Sequence, residues 1–289
     1  MKPLVECAPC IVKWIYERTA PSASEEQRYL LMRTILGVLS HEFNASGNVG
    51  LICKRTLDAV SEFVFASKAH YNGIKAKTNK AVEELLPASR GFIRKGNKPR
   101  ERFERACYLA SAGNVSPIGA PSGALKFPEL NNIITGRDHL PVVIGDIYGA
   151  ASDAAHVLFL SDNAGEIGFD SLLIGELKAM GLRVTLVVKE DPFFEDATKR
   201  DASHFGLDKL ADRILTTRGV FLPGESTTTL EDAYRQSDLV IAKGVFNFEA
   251  LHGEVSGKPI IYMLKMKCGP LSEKNDVDKG SFIVRLENA

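Results

Sequence analysis

The rhythm of apolar residues changes near residue 150, and that change constrains the fold more than any other feature of the chain. Up to about residue 112 the apolar positions recur at helical spacing. Val5 to Tyr16 shows this period. Ser24 precedes Glu25 and Glu26 as an N-cap would, and Tyr29, Leu30, Ile35, Leu36, Leu39 and Phe43 form one apolar face. One helix is expected from about Leu51 to Ala69. Another holds Ala81, Val82, Leu85 and Leu86 and is expected to stop near Pro87. Arg100 to Ala110 alternates charged and apolar residues as an amphipathic helix does. Beyond residue 150 short apolar runs alternate with helical stretches. The strand-like runs are His156–Asp162, Arg183–Glu190, Arg213–Leu215, Asp238–Gly244 and Lys258–Lys265, with a helix over Gly168–Gly181. Such alternation predicts an α/β fold with a buried, mainly parallel sheet and helices on both faces. The chain thus divides into a helical part over 1–112, a Gly- and Pro-containing connection over 113–150 placed to line a cleft, and an α/β part over 151–289.

Charge narrows the function. Lys plus Arg and Asp plus Glu number 36 each, so a formal net charge of zero argues against a nucleic-acid partner. No run reaches the roughly 18–20 apolar residues of a membrane span, and the start MKPLVECAPCIVKW has no secretory h-region. These features predict a cytoplasmic protein without a membrane partner. Five cysteines, Cys7, Cys10, Cys53, Cys107 and Cys268, do not form a secreted disulfide framework.

Ligands of open α/β sheets bind beyond the carboxyl ends of the strands, which directs attention to three segments. SDNAGEIGFD, Ser161 to Asp170, places Asp162 and Asn163 at a strand end, with Gly165 to turn the chain into a helix. A carboxylate and an amide oxygen are hard ligands suited to magnesium or manganese. Free N–H groups of the following helix can hold a phosphate. The plain alternative is a capped strand-to-helix turn. KEDPFFEDAT, Lys189 to Thr198, brings Glu195 and Asp196 to the next strand end; the plain alternative is a helix N-terminus that favours acids. AKGVFNFEAL, Ala242 to Leu251, ends the clearest strand with Lys243, a point cation for phosphate. Asn247 can bond substrate, and Glu249 can orient the lysine. The plain alternative leaves Lys243 solvated and Phe246 and Phe248 in the core.

The DNAGE, DP-x-x-ED-A-T and KG-x-x-NFE segments, in this order and on these elements, resemble those of the damage-control phosphatases. That family is also labelled acidic-residue-methyltransferase-like and was long called domain of unknown function eighty-nine. CAPC at Cys7–Cys10, AGN at Ala112–Asn114 and LKMKC at Leu264–Cys268 are similar to its prokaryotic and archaeal branch. The resemblance covers nearly the whole chain. It implies a helical N-terminal part packed on a Rossmann-like part, and one divalent metal ion held by Asp162, Asn163 and Asp196. Magnesium or manganese fits best, with cobalt or nickel as substitutes. The implied reaction is phosphomonoester hydrolysis of a small phosphorylated metabolite, such as a sugar phosphate. Lys243 matches the phosphate-binding lysine, with Asn114 on the substrate side beside Gly165, Glu166 and Asn247; Asp162, Lys243 and Glu249 are the expected catalytic residues. Two positions depart from the pattern: Glu195 stands where Asn is common, and Phe246 where a small residue is.

The attacking group is either a water or an aspartate carboxylate. Two other functions remain open at this level: a protein carboxylate methyltransferase, against which stands the lack of a G-x-G turn after the first strand, and a non-catalytic phosphometabolite-binding protein. Cys7 and Cys10 lie one helical turn apart and read either as a structural or redox pair, with Cys268 as distant partner, or as small buried apolar residues. His41, His70, His139, His156, His204 and His252 show no ligand spacing.

Overall fold

The computed structural model describes residues 1–137, 139–254 and 257–288; Ala289, the end of the expected α/β part, lies outside them. Six helices come first: α1 (Cys7–Thr19), α2 (Glu25–Glu42), α3 (Val49–Ala59), α4 (Ser61–Ala66), α5 (Lys68–Arg94) and α6 (Pro99–Ala112). Then follow α7 (Pro128–Thr135), β1 (Val142–Ile144), α8 (Ile147–Ser152), β2 (His156–Leu160), α9 (Glu166–Ala179) and β3 (Arg183–Lys189). The chain continues through α10 (Lys199–His204), α11 (Leu207–Leu210), β4 (Arg213–Thr217), α12 (Thr228–Gln236) and β5 (Leu239–Lys243). It ends with α13 (Gly244–Leu251), β6 (Ile260–Lys265), α14 (Gly269–Asn275) and β7 (Phe282–Glu287).

The helical and α/β rhythms are both realised, with three differences. The stretch Leu51 to Ala69 is not one helix: α3 and α4 meet at Val60, whose φ of −109° and ψ of 23° break the helical path. α5 runs straight through Pro87. An internal proline costs about 3 kcal/mol locally, but Val82, Phe92 and Ile93 bury side chains on both sides of it and hold the helix together. Strands β1 and β7 were not foreseen; β1 is apolar but only three residues long and largely exposed, too short to stand out as a strand.

The seven strands stand in the order β1-β7-β6-β5-β2-β3-β4, parallel except where β7 runs against β6. Successive side chains of β2 alternate between the two faces. Leu158 and Leu160 join a core shared with Ile11, Leu31 and Phe248, while Val157 and Phe159 join one shared with Phe103, Leu109 and Phe169. Helices on both faces bury the sheet, so its strands are apolar throughout. From β2 the chain builds outward through β3 and β4, then returns to add β5 on the other side of β2. This reversal opens a crevice at the carboxyl ends of β2 and β5.

Candidate active site

Asp162 and Asn163 follow β2 directly, and Lys243 is the last residue of β5. The loop after β3 folds back across this crevice. Asn163 forms an antiparallel bridge with Asp196, Ala164 N–H donates to the Glu195 carbonyl at 2.8 Å, and Ala197 N–H donates to the Asp162 carbonyl at 2.8 Å. The two strand-end acids, 34 positions apart in sequence, are thereby held side by side. Both are nearly buried. Burial and the neighbouring Glu166 push the Asp162 carboxyl up to about 6. Burial and Asp162 push Asp196 well above the usual carboxylate range. Lys189, whose Nζ lies 3.7 Å from Asp196 Oδ2, opposes both shifts and Lys267 opposes that of Asp162, but burial outweighs them.

Gly165 starts α9 at a φ of +75°, and a Cβ there would stand 2.4 Å from the Thr78 methyl, so α5 and the turn approach as closely as glycine permits. Its N–H donates to Asn79 Oδ1 at 2.7 Å. The N–H groups of Ala164 and Gly165 are therefore already bonded, which corrects the expectation that they hold a phosphate: the returning loop and α5 saturate them.

Behind the acids lies a fully buried cluster. Lys243 Nζ donates to Glu166 Oε1 and to Asp170 Oδ1, each at 2.6 Å. Burial alone would lower the pKa of this ammonium, but Asp170 and Glu166 outweigh it and drive the pKa up, so the lysine stays charged. Glu166 accepts from Asn163 Nδ2 at 2.9 Å and from Asn114 Nδ2 at 3.1 Å, and both amides also donate to Asp162 Oδ2 at 2.8 Å. Asn114 Oδ1 accepts from the Lys265 backbone at 3.2 Å. Asn247 Nδ2 donates to the carbonyls of Ser161 and Lys243, stapling the two strand ends together. The side chains of Asn114, Glu166, Lys243 and Asn247 are thus engaged with the protein itself, one layer behind the acids. With both its amide hydrogens so directed, Asn163 keeps an Oδ1 that accepts no hydrogen bond among the described residues.

In front of the acids is a cavity of about 140 Å³ lined by Asp162, Asn163, Asp196, Glu249 and Lys267, among others. Sequence reasoning passed over Lys267, although it stands two residues beyond the end of β6, as Asp162 does beyond β2, because the LKMKC segment was read only as a mark of the family branch. Its ammonium makes no ion pair among the described residues; burial lowers its pKa, opposed by Asp162 and Glu166. Arg18 also faces the cavity but is tied to Glu195, with Nη2 to Oε1 at 2.6 Å and Nε to Oε2 at 3.2 Å. Ser116 Oγ donates to the same carboxylate at 2.7 Å. Glu195 therefore anchors the loop that carries Asp196 onto α1. Phe194, in the same loop, holds a φ of +38° and is wedged against Trp14 and Tyr71, at 5.6 and 5.4 Å between centroids. Phe246 leans on Trp14 at 5.9 Å. Glu249 lies on the cavity wall, its carboxyl pushed up by burial to about 7, and does not contact Lys243.

Cys7, Cys10, Cys53 and Cys268 line one region of the same cavity, and all five cysteines are free. Burial pushes their thiols up, Cys10 to about 11, so they are protonated at neutral pH. Among the described residues no three His, Cys, Asp or Glu side chains form a metal cage; the expected set draws on two carboxylates and one amide. No helix is long and apolar enough to cross a membrane among the described residues.

A Rossmann-like sheet with paired acids and an amide at its switch point defines the class. The chain belongs to the family of the damage-control phosphatase ARMT1-like domain, which it matches over residues 4–283. It is 29% identical over 293 residues to an uncharacterized protein, MJ0202, of Methanocaldococcus jannaschii, covering 96% of this chain and 93% of the relative. It is 31% identical to a damage-control phosphatase of Archaeoglobus fulgidus over 224 residues, 75% of each chain. A crystal structure of a DUF89 family protein of Pyrococcus horikoshii superposes with a TM-score of 0.80 over 100% of both chains at 24% identity, a likeness of fold.

Proposed function

We propose that this protein is a metal-dependent phosphatase that hydrolyses small phosphorylated metabolites. The observation that carries the reading is the pair Asp162 and Asp196, two buried acids that face one cavity and whose carboxyls are both raised, chiefly by burial. With the uncommitted Oδ1 of Asn163 they make an all-oxygen donor set, which fits magnesium or manganese and admits cobalt or nickel. Such an ion, when bound, supplies Lewis-acid polarisation of a phosphoryl oxygen.

The chain's own residues do the rest. Lys267, the unpaired ammonium in the cavity, neutralises a phosphate oxygen as a point charge. Lys243, expected at the phosphate, instead holds Glu166, and Glu166 with Asn114 fixes the Asn163 amide and the Asp162 carboxylate. Arg18 fixes Glu195 and through it Asp196. Asn247 keeps the ends of β2 and β5 in register. Gly165 gives α9 its close approach to α5. Glu249 lies on the cavity wall, where its carboxyl can serve a proton transfer. Water is consumed, and inorganic phosphate and an alcohol are released.

The test is phosphate release from a panel of phosphomonoesters after chelation and after return of magnesium, manganese, cobalt or nickel. Metal-restored release that vanishes in a folded Asp162→Ala variant is the expected result. Full activity in that variant would sink the assignment, and a protein that binds metal yet releases no phosphate would return weight to a binding role.

A further inference from the structure

The cavity carries one positive charge that the protein does not already pair. Arg18 uses Nε, Nη1 and Nη2 on Glu195 and on the carbonyls of Ile118 and Pro117. Among the described residues Lys267 alone is left for an anion, and one phosphate takes it. A second phosphate or a carboxylate on the leaving group would meet Glu6 and Glu249 on the wall and no free cation.

Much of the cavity wall offers little to a polyhydroxylated group. It is made by Ile11, Trp14, Val245, Phe246, Pro270 and Leu271. The four thiols beside them are protonated and act as small apolar surface. Few polar groups are open to such a group: the Ser116 hydroxyl donates to Glu195 and the Asn163 amide to Asp162 and Glu166, which leaves the carboxyls of Glu6 and Glu249 as acceptors on this wall. Each sugar hydroxyl stripped of water here without a partner weakens binding by about tenfold. The volume of about 140 Å³ is near the roughly 150 Å³ that holds one benzene. Trp14 and Phe246 meet at 55° and form an aromatic corner in it.

We infer that the substrate is the monophosphate of a small, uncharged, largely apolar alcohol, seated against Trp14 and Phe246, and not a sugar phosphate or a bisphosphate. This rests on the phosphatase reading and narrows its substrate class. Benzyl phosphate and glucose 6-phosphate are both esters of primary alcohols, so their intrinsic reactivities match and a difference in kcat/KM reports the pocket. With magnesium or manganese present, kcat/KM for benzyl phosphate is expected to exceed that for glucose 6-phosphate by about ten- to a hundredfold, the worth of burying one ring. Phe246→Ser is expected to shrink that ratio severalfold. Equal or better turnover of glucose 6-phosphate would overturn the inference and leave the phosphatase reading standing.

A binding arm separates the two failures. Calorimetry with benzylphosphonate and methylphosphonate, neither of which is a phosphate ester, should show benzylphosphonate bound at least about tenfold more tightly. That preference without turnover of either ester would uphold the pocket assignment and remove the catalytic one. No preference between the phosphonates would overturn the inference whatever the turnover.

Discussion

Lys243 donates to Glu166 across 2.6 Å, and neither side chain is exposed. A second buried acid, Asp170, sits equally close to the same ammonium, so one positive charge holds two carboxylates in the protein interior. Removing it leaves both uncompensated. Lys243→Met is expected to lose about 3–5 kcal/mol of stability, read as a lower urea midpoint. A variant as stable as the parent would mean that the cluster is not charged as described.

Lys267 answers to a different test. Its ammonium supports no ion pair among the described residues, so Lys267→Ala should leave stability within about 0.5 kcal/mol. Loss of a charge placed for the transition state should lower kcat by about a hundred- to a thousandfold. The contrast separates a lysine that holds the site from one that serves it: midpoint changes for Lys243, rate changes for Lys267. Unchanged kcat in Lys267→Ala would return the phosphate-binding role to another group.

Gly244 begins α13 at a φ of +79°, and a Cβ there would lie 2.0 Å from Asp162 Oδ2. The left-handed conformation costs a side chain about 1–2 kcal/mol on its own. The clash adds displacement of the very carboxylate assigned to the metal. Gly244→Ala is expected to weaken metal binding at least about tenfold, seen by titration with manganese, and to lower the urea midpoint. Metal affinity equal to the parent would show that Asp162 has room to move without consequence.

The Arg18–Glu195 pair predicts a pH dependence. Burial would raise the Glu195 carboxyl, but Arg18 and Ser116 outweigh it and hold it below its ordinary value of 4.5. A folded-state pKa below the unfolded one means that the unfolded chain binds the proton more readily. This contribution to stability is full above the ordinary value and fades as pH falls through the folded one. The urea midpoint should therefore drop on acidification below about pH 4.5. Glu195→Gln should be less stable at pH 7 and lose part of that slope. A slope identical in parent and variant would remove Glu195 as its source.

Much of the scaffold was legible in the order of residues, because the periods of a helix and a buried strand differ and each leaves its own mark. β2, β3, β5 and β6 announced themselves as apolar runs, and the Asp162–Asn163 and Lys243 positions followed from the rule that open sheets bind ligands at their carboxyl ends. Where burial overrides local preference the reading fell short. Pro87 sits inside α5 because the residues around it are packed, and the three apolar residues of the exposed β1 are too few to mark a strand.

The chemistry of the site divides along the same line. Residue types and their place after strands sufficed to single out Asp162, Asn163, Asp196 and Lys243, since such information is local. Which lysine meets the cavity was not local. Lys243 is drawn inward because Glu166 and Asp170, one helical turn apart at the start of α9, project into the same buried space, whereas Lys267, on the stretch after β6, has no ion-pair partner among the described residues. The loop carrying Asp196 is held against Asp162 by backbone bonds and by Arg18, 177 positions before Glu195, which grips it from α1. Sequence determined the groups and their elements; tertiary packing decided which charges are paired and which one remains free, because pairing depends on distance through space and on the loss of water, and neither is written along the chain.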